Sequence, residues 1–257
     1  MAPRNPRRAV DVPAMLAVLK GQHPDAHCEL NHENPFQLLV ATVLSAQATD
    51  VAVNKVTPIL FSRWPDPKAL ASAPTDEVEK VIGSLGFFRQ KTKSITTLSR
   101  DIVDKHGGQV PSTLAELTEL RGVGRKTANV VLGVAFRTPE GVVVDTHVQR
   151  LSQRLGWTLH DSPEDIERDL MKALPKSEWD IVSHTLIFHG RRVCTARKPA
   201  CAACSLSEGC PSAFKAEQVG RKPPRVRTDR PKSKKKLAKK KAKKKAGKKK
   251  PVRRKKR

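Results

Sequence analysis

LRGVGRKTANVV, residues 120–131, sets two glycines in a tight turn and follows them at once with Arg125 and Lys126, where an apolar helix begins. A helix N-terminus carries the positive end of the macrodipole, so a cation placed there costs about 0.3–1 kcal/mol. Either the pair answers an anionic partner, or one lysine is wanted uncharged. The preceding PSTLAELTEL offers Ser112 or Thr113 as a cap and then helical spacing, so the stretch reads as helix, short turn, helix. Gly122 and Gly124 let the backbone turn sharply and leave N–H groups with no side chain to block a phosphate, and Arg125 beside them would suit a DNA backbone. A glycine-rich connector between core helices is the plainer alternative.

Outward from the turn, the body reads as one helix after another. FQLLVATVLS (36–45) is a buried helix, and DVAVNKVTPILF repeats apolar residues at helical spacing with Asp50 as cap. Helices are expected over 76–84, ending at GSLG, and from Phe88 to His106, stopped by Gly107 and Gly108. VVVDTHVQRLSQRLGW places Val148, Leu151 and Leu155 on one face with Asp145 at the cap. SPEDIERDLMKAL carries a capping box and a proline at the first helical position. EWDIVSHTLIFHG closes the helical part. Only GVVV (141–144) reads as a strand, too short to found a sheet. The expected fold is all-α, with two helical domains, a helix-hairpin-helix motif and a C-terminal cysteine-bound loop.

Charge is unevenly spread. Residues 221–257 hold 23 Lys or Arg against one acid, Asp229, so this segment accounts for +22 of the chain's +25 and residues 1–220 keep only +3. The boundary is therefore drawn after residue 220. The tail repels itself and has little to bury, and is expected to be disordered when free. It reads as an electrostatic arm binding nucleic acid by counterion release, with a solubility tail or a membrane-lipid anchor as weaker alternatives. No run of about 18 apolar residues exists and no secretory signal is evident, so an intracellular protein is expected.

Two residues invite a chemical reading. A lysine nucleophile must be neutral, and both a positive helix end and Arg125 disfavour the charged form of Lys126. Such an amine can attack carbon and form a Schiff base, although a phosphate-binding lysine is the commoner use. Asp145 follows an apolar run and begins a helix; it is either a plain N-cap or, facing Lys126, a charge that aids deprotonation and stabilises a sugar-centred cation. Finally, Cys194, Cys201, Cys204 and Cys210 form C-x6-C-x2-C-x5-C. Four thiolates in 17 residues can close around one metal or cluster, and zinc and a 4Fe-4S cluster both accept them. Arg197 and Lys198 lie in the first loop as a basic finger. Cys28 stands apart and reads as simply buried.

LSAQATDVAVNK, GVGRKTANVVLGVAF, VVVDTHVQRL and the cysteine run, in this order over roughly residues 13–213, together resemble the bacterial endonuclease III family of DNA glycosylases with AP lyase activity. The resemblance implies two helical domains around a DNA cleft, a 4Fe-4S cluster on the four cysteines, and removal of oxidised or ring-saturated pyrimidines from double-stranded DNA. Lys126 matches the family's nucleophile and Asp145 its catalytic aspartate. Gln47, alone an ordinary surface residue, matches the one that fills the gap left by the flipped base. Phe87, alone an ordinary core residue, matches the opposing wedge, often leucine. Arg121 stands where the family usually has proline, adding a cation to the hairpin, and Phe87 with Phe88 makes the wedge loop bulkier. The enzyme is expected to act as a monomer with no membrane partner, in the cytoplasm with the nucleoid, or in the nucleus of a eukaryote. Two other readings compete. An adenine glycosylase of the same superfamily would lack Lys126 and carry a further C-terminal domain, and a noncatalytic DNA-packaging protein would bind without cutting.

Overall fold

The computed structural model describes residues 10–220; the expected disorder of the basic tail falls outside the described residues. Eleven α-helices are present among them: α1 (Val12–Gln22), α2 (Pro35–Leu44), α3 (Asp50–Arg63), α4 (Pro67–Ala71), α5 (Thr75–Ile82), α6 (Phe88–His106), α7 (Leu114–Glu119), α8 (Arg125–Val134), α9 (Thr146–Arg154), α10 (Pro163–Ala173) and α11 (Trp179–Arg192). No strand occurs among the described residues, and GVVV, read above as a strand, is irregular. It has no partner strand, and one of its carbonyls is met by a side chain instead, Val143 O accepting from Ser183 Oγ at 2.9 Å.

Local chemistry explains most boundaries. Asp11, Asn34, Asp66, Thr113 and Ser162 each accept a backbone N–H at the start of their helices, and Pro lies in the first turn in four of the five cases. For α3 the cap is Thr49, whose hydroxyl accepts from Ala52 N. Asp50, expected there, sits one residue inside and pairs with Arg191 at 2.8 Å. Helix α6 ends on Gly107 in the left-handed conformation, with Gly108 N–H returning to Ile102 O.

The helices bury two apolar cores. The first gathers Phe36, Leu39, Leu44, Leu60, Ile95, Leu98, Val131 and Leu132 from α2–α8. The second joins Leu16 and Leu19 of α1 to Val148, Leu151, Ile166, Leu170, Val182 and Leu186 of α9–α11 and to the cysteine loop. The chain thus starts in the second core, builds the first, and returns.

Candidate functional site

The hairpin between α7 and α8 is anchored by Leu120 and Val123, both almost fully buried, while Arg121, Gly122 and Gly124 face outward. Gly122 takes φ +81°, a backbone conformation that calls for glycine, and a Cβ there would lie a tight 3.2 Å from Ser94 Cβ. Gly124 caps α8 with no side-chain hydrogen bond. The first-turn N–H groups of α8 are therefore left to an outside partner, as an anion would need.

Lys126, in the first turn of α8, and Asp145, the cap of α9, line one cavity of about 140 Å³. Asp145 Oδ1 accepts from His147 N at 2.7 Å and Val148 N at 2.8 Å. Both readings of Asp145 are thus compatible, since one oxygen caps the helix and the carboxylate still borders the cavity. Asp50, Asp180, His184, Glu29 and Arg191 add further titratable side chains to the lining. Burial, helped by the Asp145 carboxylate, raises the Asp50 carboxyl above its usual range against the opposing pull of Lys126 and His184. Arg191 is held between Asp50 and Glu29. The sequence reading named Asp50 only as a helix cap and the other four not at all. Asp180 and His184, i and i+4 on α11, carried a legible signal; the others meet only through the fold.

Arg125, expected on the DNA backbone, is turned onto its own chain. Its Nε and one terminal nitrogen reach the two Glu167 carboxylate oxygens at 3.1 and 3.0 Å. The reason is electrostatic: Glu167 is almost fully buried, and an ionised carboxylate there needs a cation.

Gln47 and Phe87 lie on two exposed loops, and both adopt left-handed backbone, φ +57° and +59°. For residues with a Cβ this conformation costs on the order of 1–2 kcal/mol. Phe87, read in isolation as core, is 69% exposed. The apolar ring is thus held out on a strained backbone, away from both cores.

The four cysteines 194, 201, 204 and 210 line one small cavity of about 20 Å³. They ring this space, and among the described residues no three donor side chains are placed to hold a single ion. Four thiolate donors around a common space are the donor set of an iron-sulfur cluster. Groups that would orient the thiolates are in place. Fully buried Arg154 donates to Cys194 Sγ at 3.3 Å, and Phe214 N–H to Cys201 Sγ at 3.3 Å. His189, driven by burial down to about 4 and hence neutral, contacts Cys204 Sγ at 3.4 Å and His23 at 3.0 Å. Arg154 also donates to Thr195 O and Ala196 O, which fixes the loop that presents exposed Arg197 and Lys198. Cys28, expected to be merely buried, is half-buried in the wall of the Lys126 cavity, where burial pushes its thiol up to about 11.

Comparison with known proteins shows the family. The family model of the HhH-GPD superfamily base excision DNA repair protein matches residues 40–176, and that of the iron-sulfur binding domain of endonuclease III matches 194–210. The chain is 54% identical over 207 residues to endonuclease III of Synechocystis sp. (strain ATCC 27184 / PCC 6803 / Kazusa), covering 80% of this chain and 93% of the relative. It is 46% identical over 200 residues to endonuclease III of Bacillus subtilis (strain 168), covering 77% and 90%. A solved endonuclease III trapped as a covalent intermediate with DNA, in an estranged-adenine complex, aligns with TM-score 0.75 and 47% identity over 79% of this chain and 96% of its own.

Proposed function

The chain belongs to the HhH-GPD superfamily of base excision DNA repair proteins and, within it, to the endonuclease III family, and from that membership we propose how its residues divide the work. It is a DNA glycosylase with AP lyase activity, acts on DNA and carries a 4Fe-4S cluster. The substrate proposed is duplex DNA with an oxidised or ring-saturated pyrimidine. The damaged nucleotide turns out of the stack, because C1′ is closed to attack inside it. Gln47 fills the gap and Phe87 wedges the opposite side. The hairpin at Arg121, Gly122 and Gly124, with Arg197 and Lys198, receives backbone phosphates.

In the chemical step Lys126 attacks C1′ as a free amine. The N–C1′ bond forms as the bond to the base breaks, and the base leaves with the electron pair and takes up a proton. Asp145 stabilises positive charge on the sugar and accepts the proton shed by the attacking nitrogen. Opening of the sugar gives a C1′=N Schiff base. Loss of a C2′ proton then expels the 3′ phosphate by cleavage of C3′–O, and water hydrolyses the imine to free Lys126. Cys194, Cys201, Cys204 and Cys210 would hold the cluster, which would keep the 194–210 loop in shape.

The observation that carries this reading is the placement of Lys126 and Asp145 on two helix N-termini lining one cavity. A solved relative linked covalently to DNA supports it. Residues 221–257, with their +22 charge, are assigned to sequence-blind DNA affinity. No described helix is long and apolar enough to cross a membrane; the location proposed, from the DNA substrate, is the cytoplasm with the nucleoid. On a duplex with one thymine glycol, wild type should release the base and leave an unsaturated aldehyde at the nick. Base release and nicking by Lys126→Ala at the wild-type rate would overturn the assignment.

A further inference from the structure

Glu167 of α10 is a buried carboxylate that the chemical step does not use. It accepts two hydrogen bonds from Arg125, the residue directly before Lys126, and a third from Asn129 Nδ2 at 3.2 Å, one turn further along α8. Its side chain is 9% exposed, against 51% for Arg125. The carboxylate also packs on the backbone at Gly141, where a Cβ would fall 1.9 Å from Glu167 Oε1 and 2.6 Å from Asn129 Nδ2. Gly141 opens the short segment that ends at Asp145, and Ser183 pins that segment again at Val143.

The same contact crosses between the two cores. Ala128 and Val131, on either side of Asn129, are buried in the first core; Ile166 and Leu170, flanking Glu167, are buried in the second. One carboxylate therefore touches the start of the helix that carries Lys126 and the start of the strap that carries Asp145. A bidentate guanidinium–carboxylate pair fixes orientation as well as distance. Glu167 correspondingly holds the Arg125 guanidinium more firmly in its charged form.

We propose that Glu167 is a positioning residue: gripped by Arg125 and Asn129 and seated on Gly141, it sets the approach of Lys126 to Asp145. The inference rests on the roles proposed above for those two residues. It also accounts for a cation at the N-terminus of α8, since Arg125 stands there for an anion of its own chain. Misplacement by about 1 Å far from the reacting atoms can cost on the order of 100-fold in rate.

The test uses the full-length, cluster-loaded protein and an abasic duplex at saturating enzyme, with the single-turnover rate of borohydride-trapped adduct as readout. Affinity is measured in parallel on a duplex carrying a non-cleavable tetrahydrofuran abasic analogue. Glu167→Gln keeps the side chain's size but removes its charge and one of the two oxygens that accept from the guanidinium. It should slow trapping about 10- to 100-fold while the Kd moves less than about 3-fold. Arg125→Ala should do the same, and the double variant should be no slower than either single, because both break one contact. Ser162→Ala removes the cap of α10, at about 1 kcal/mol, without touching the clamp, and should leave the rate alone.

Two results would overturn the proposal. Weaker binding and a shallower salt dependence in Arg125→Ala, with the saturating rate intact, would make Arg125 a phosphate ligand. Equal slowing by Ser162→Ala would reduce Glu167 to a support of the fold. Adduct formation by Lys126→Ala would instead sink the nucleophile assignment on which the proposal rests.

Discussion

Replacing Asp145 by Asn and by Ala separates the two tasks that its carboxylate performs. Oδ1 accepts from two backbone N–H groups of α9, at 2.7 and 2.8 Å. Asparagine also caps well through its side-chain oxygen, whereas alanine leaves both donors without that acceptor; the loss is about 1–2 kcal/mol. For a folded body of this size, 1 kcal/mol moves Tm by about 2–4 °C, so Asp145→Ala should melt about 2–8 °C lower and Asp145→Asn within a degree or two of wild type. Catalysis should divide differently. Both variants lose the charge that faces the sugar and takes the proton, a contribution of about 100- to 10,000-fold. Thermal unfolding read beside single-turnover base release on a thymine glycol duplex gives the two numbers. An Asp145→Asn enzyme that excises at the wild-type rate would refute the reasoning and leave Asp145 as a helix cap alone.

Because Phe87 is 69% exposed and strained at φ +59°, Phe87→Ala should leave stability within about 0.5 kcal/mol and Phe87→Gly should raise it by up to about 1 kcal/mol. Both should slow excision of a paired lesion more than cleavage of a preformed abasic site, a difference that parallel time courses would expose. The Cys28 thiol, raised by burial to about 11, holds only about one part in a thousand as thiolate at pH 8. Iodoacetamide labelling, assigned with Cys28→Ser, should therefore be very slow there and accelerate about tenfold per pH unit up to that value; rapid reaction at pH 8 would show the thiol to be open to solvent. Arg154→Met removes the donor to Cys194 Sγ and to the carbonyls of Thr195 and Ala196. Iron content per chain and Tm should fall together, and full iron loading with unchanged Tm would speak against the brace. Deleting residues 221–257 should flatten the dependence of DNA affinity on salt, by about 0.9 in log–log slope for each phosphate no longer neutralised. An unchanged slope would show that the basic segment does not bind phosphates.

The fold is legible where the chain announces itself locally. Thr113, Ser162 and Pro163, Gly107, and the Gly122–Gly124 turn each act within a few residues of their own position, so capping and turn chemistry can be read without the third dimension. The four cysteines and Asp145 are legible for the same reason. Asp50 shows where local reading fails: Thr49 and Asp50 both suit an N-cap, and in the fold Thr49 takes the cap while Asp50 pairs with Arg191, 141 residues away. Phe87 reads as core by its chemistry, and the left-handed backbone that holds it out leaves no trace in the letters. Glu167 lies in an ordinary amphipathic helix, 42 residues from Arg125, and nothing near either residue links them. Long-range electrostatic contacts of this kind carry no periodicity, which is why Arg125 reads as a DNA ligand until its partner is in view.

The central claim is that Lys126 forms the covalent bond to the sugar. Cluster-loaded wild type and Lys126→Ala should be incubated with an abasic duplex and borohydride, and the adduct digested and mapped by mass spectrometry. The account predicts one reduced adduct, on the peptide containing Lys126, and none in the variant. An adduct mapped to any other amine, or one that survives in Lys126→Ala, would contradict it.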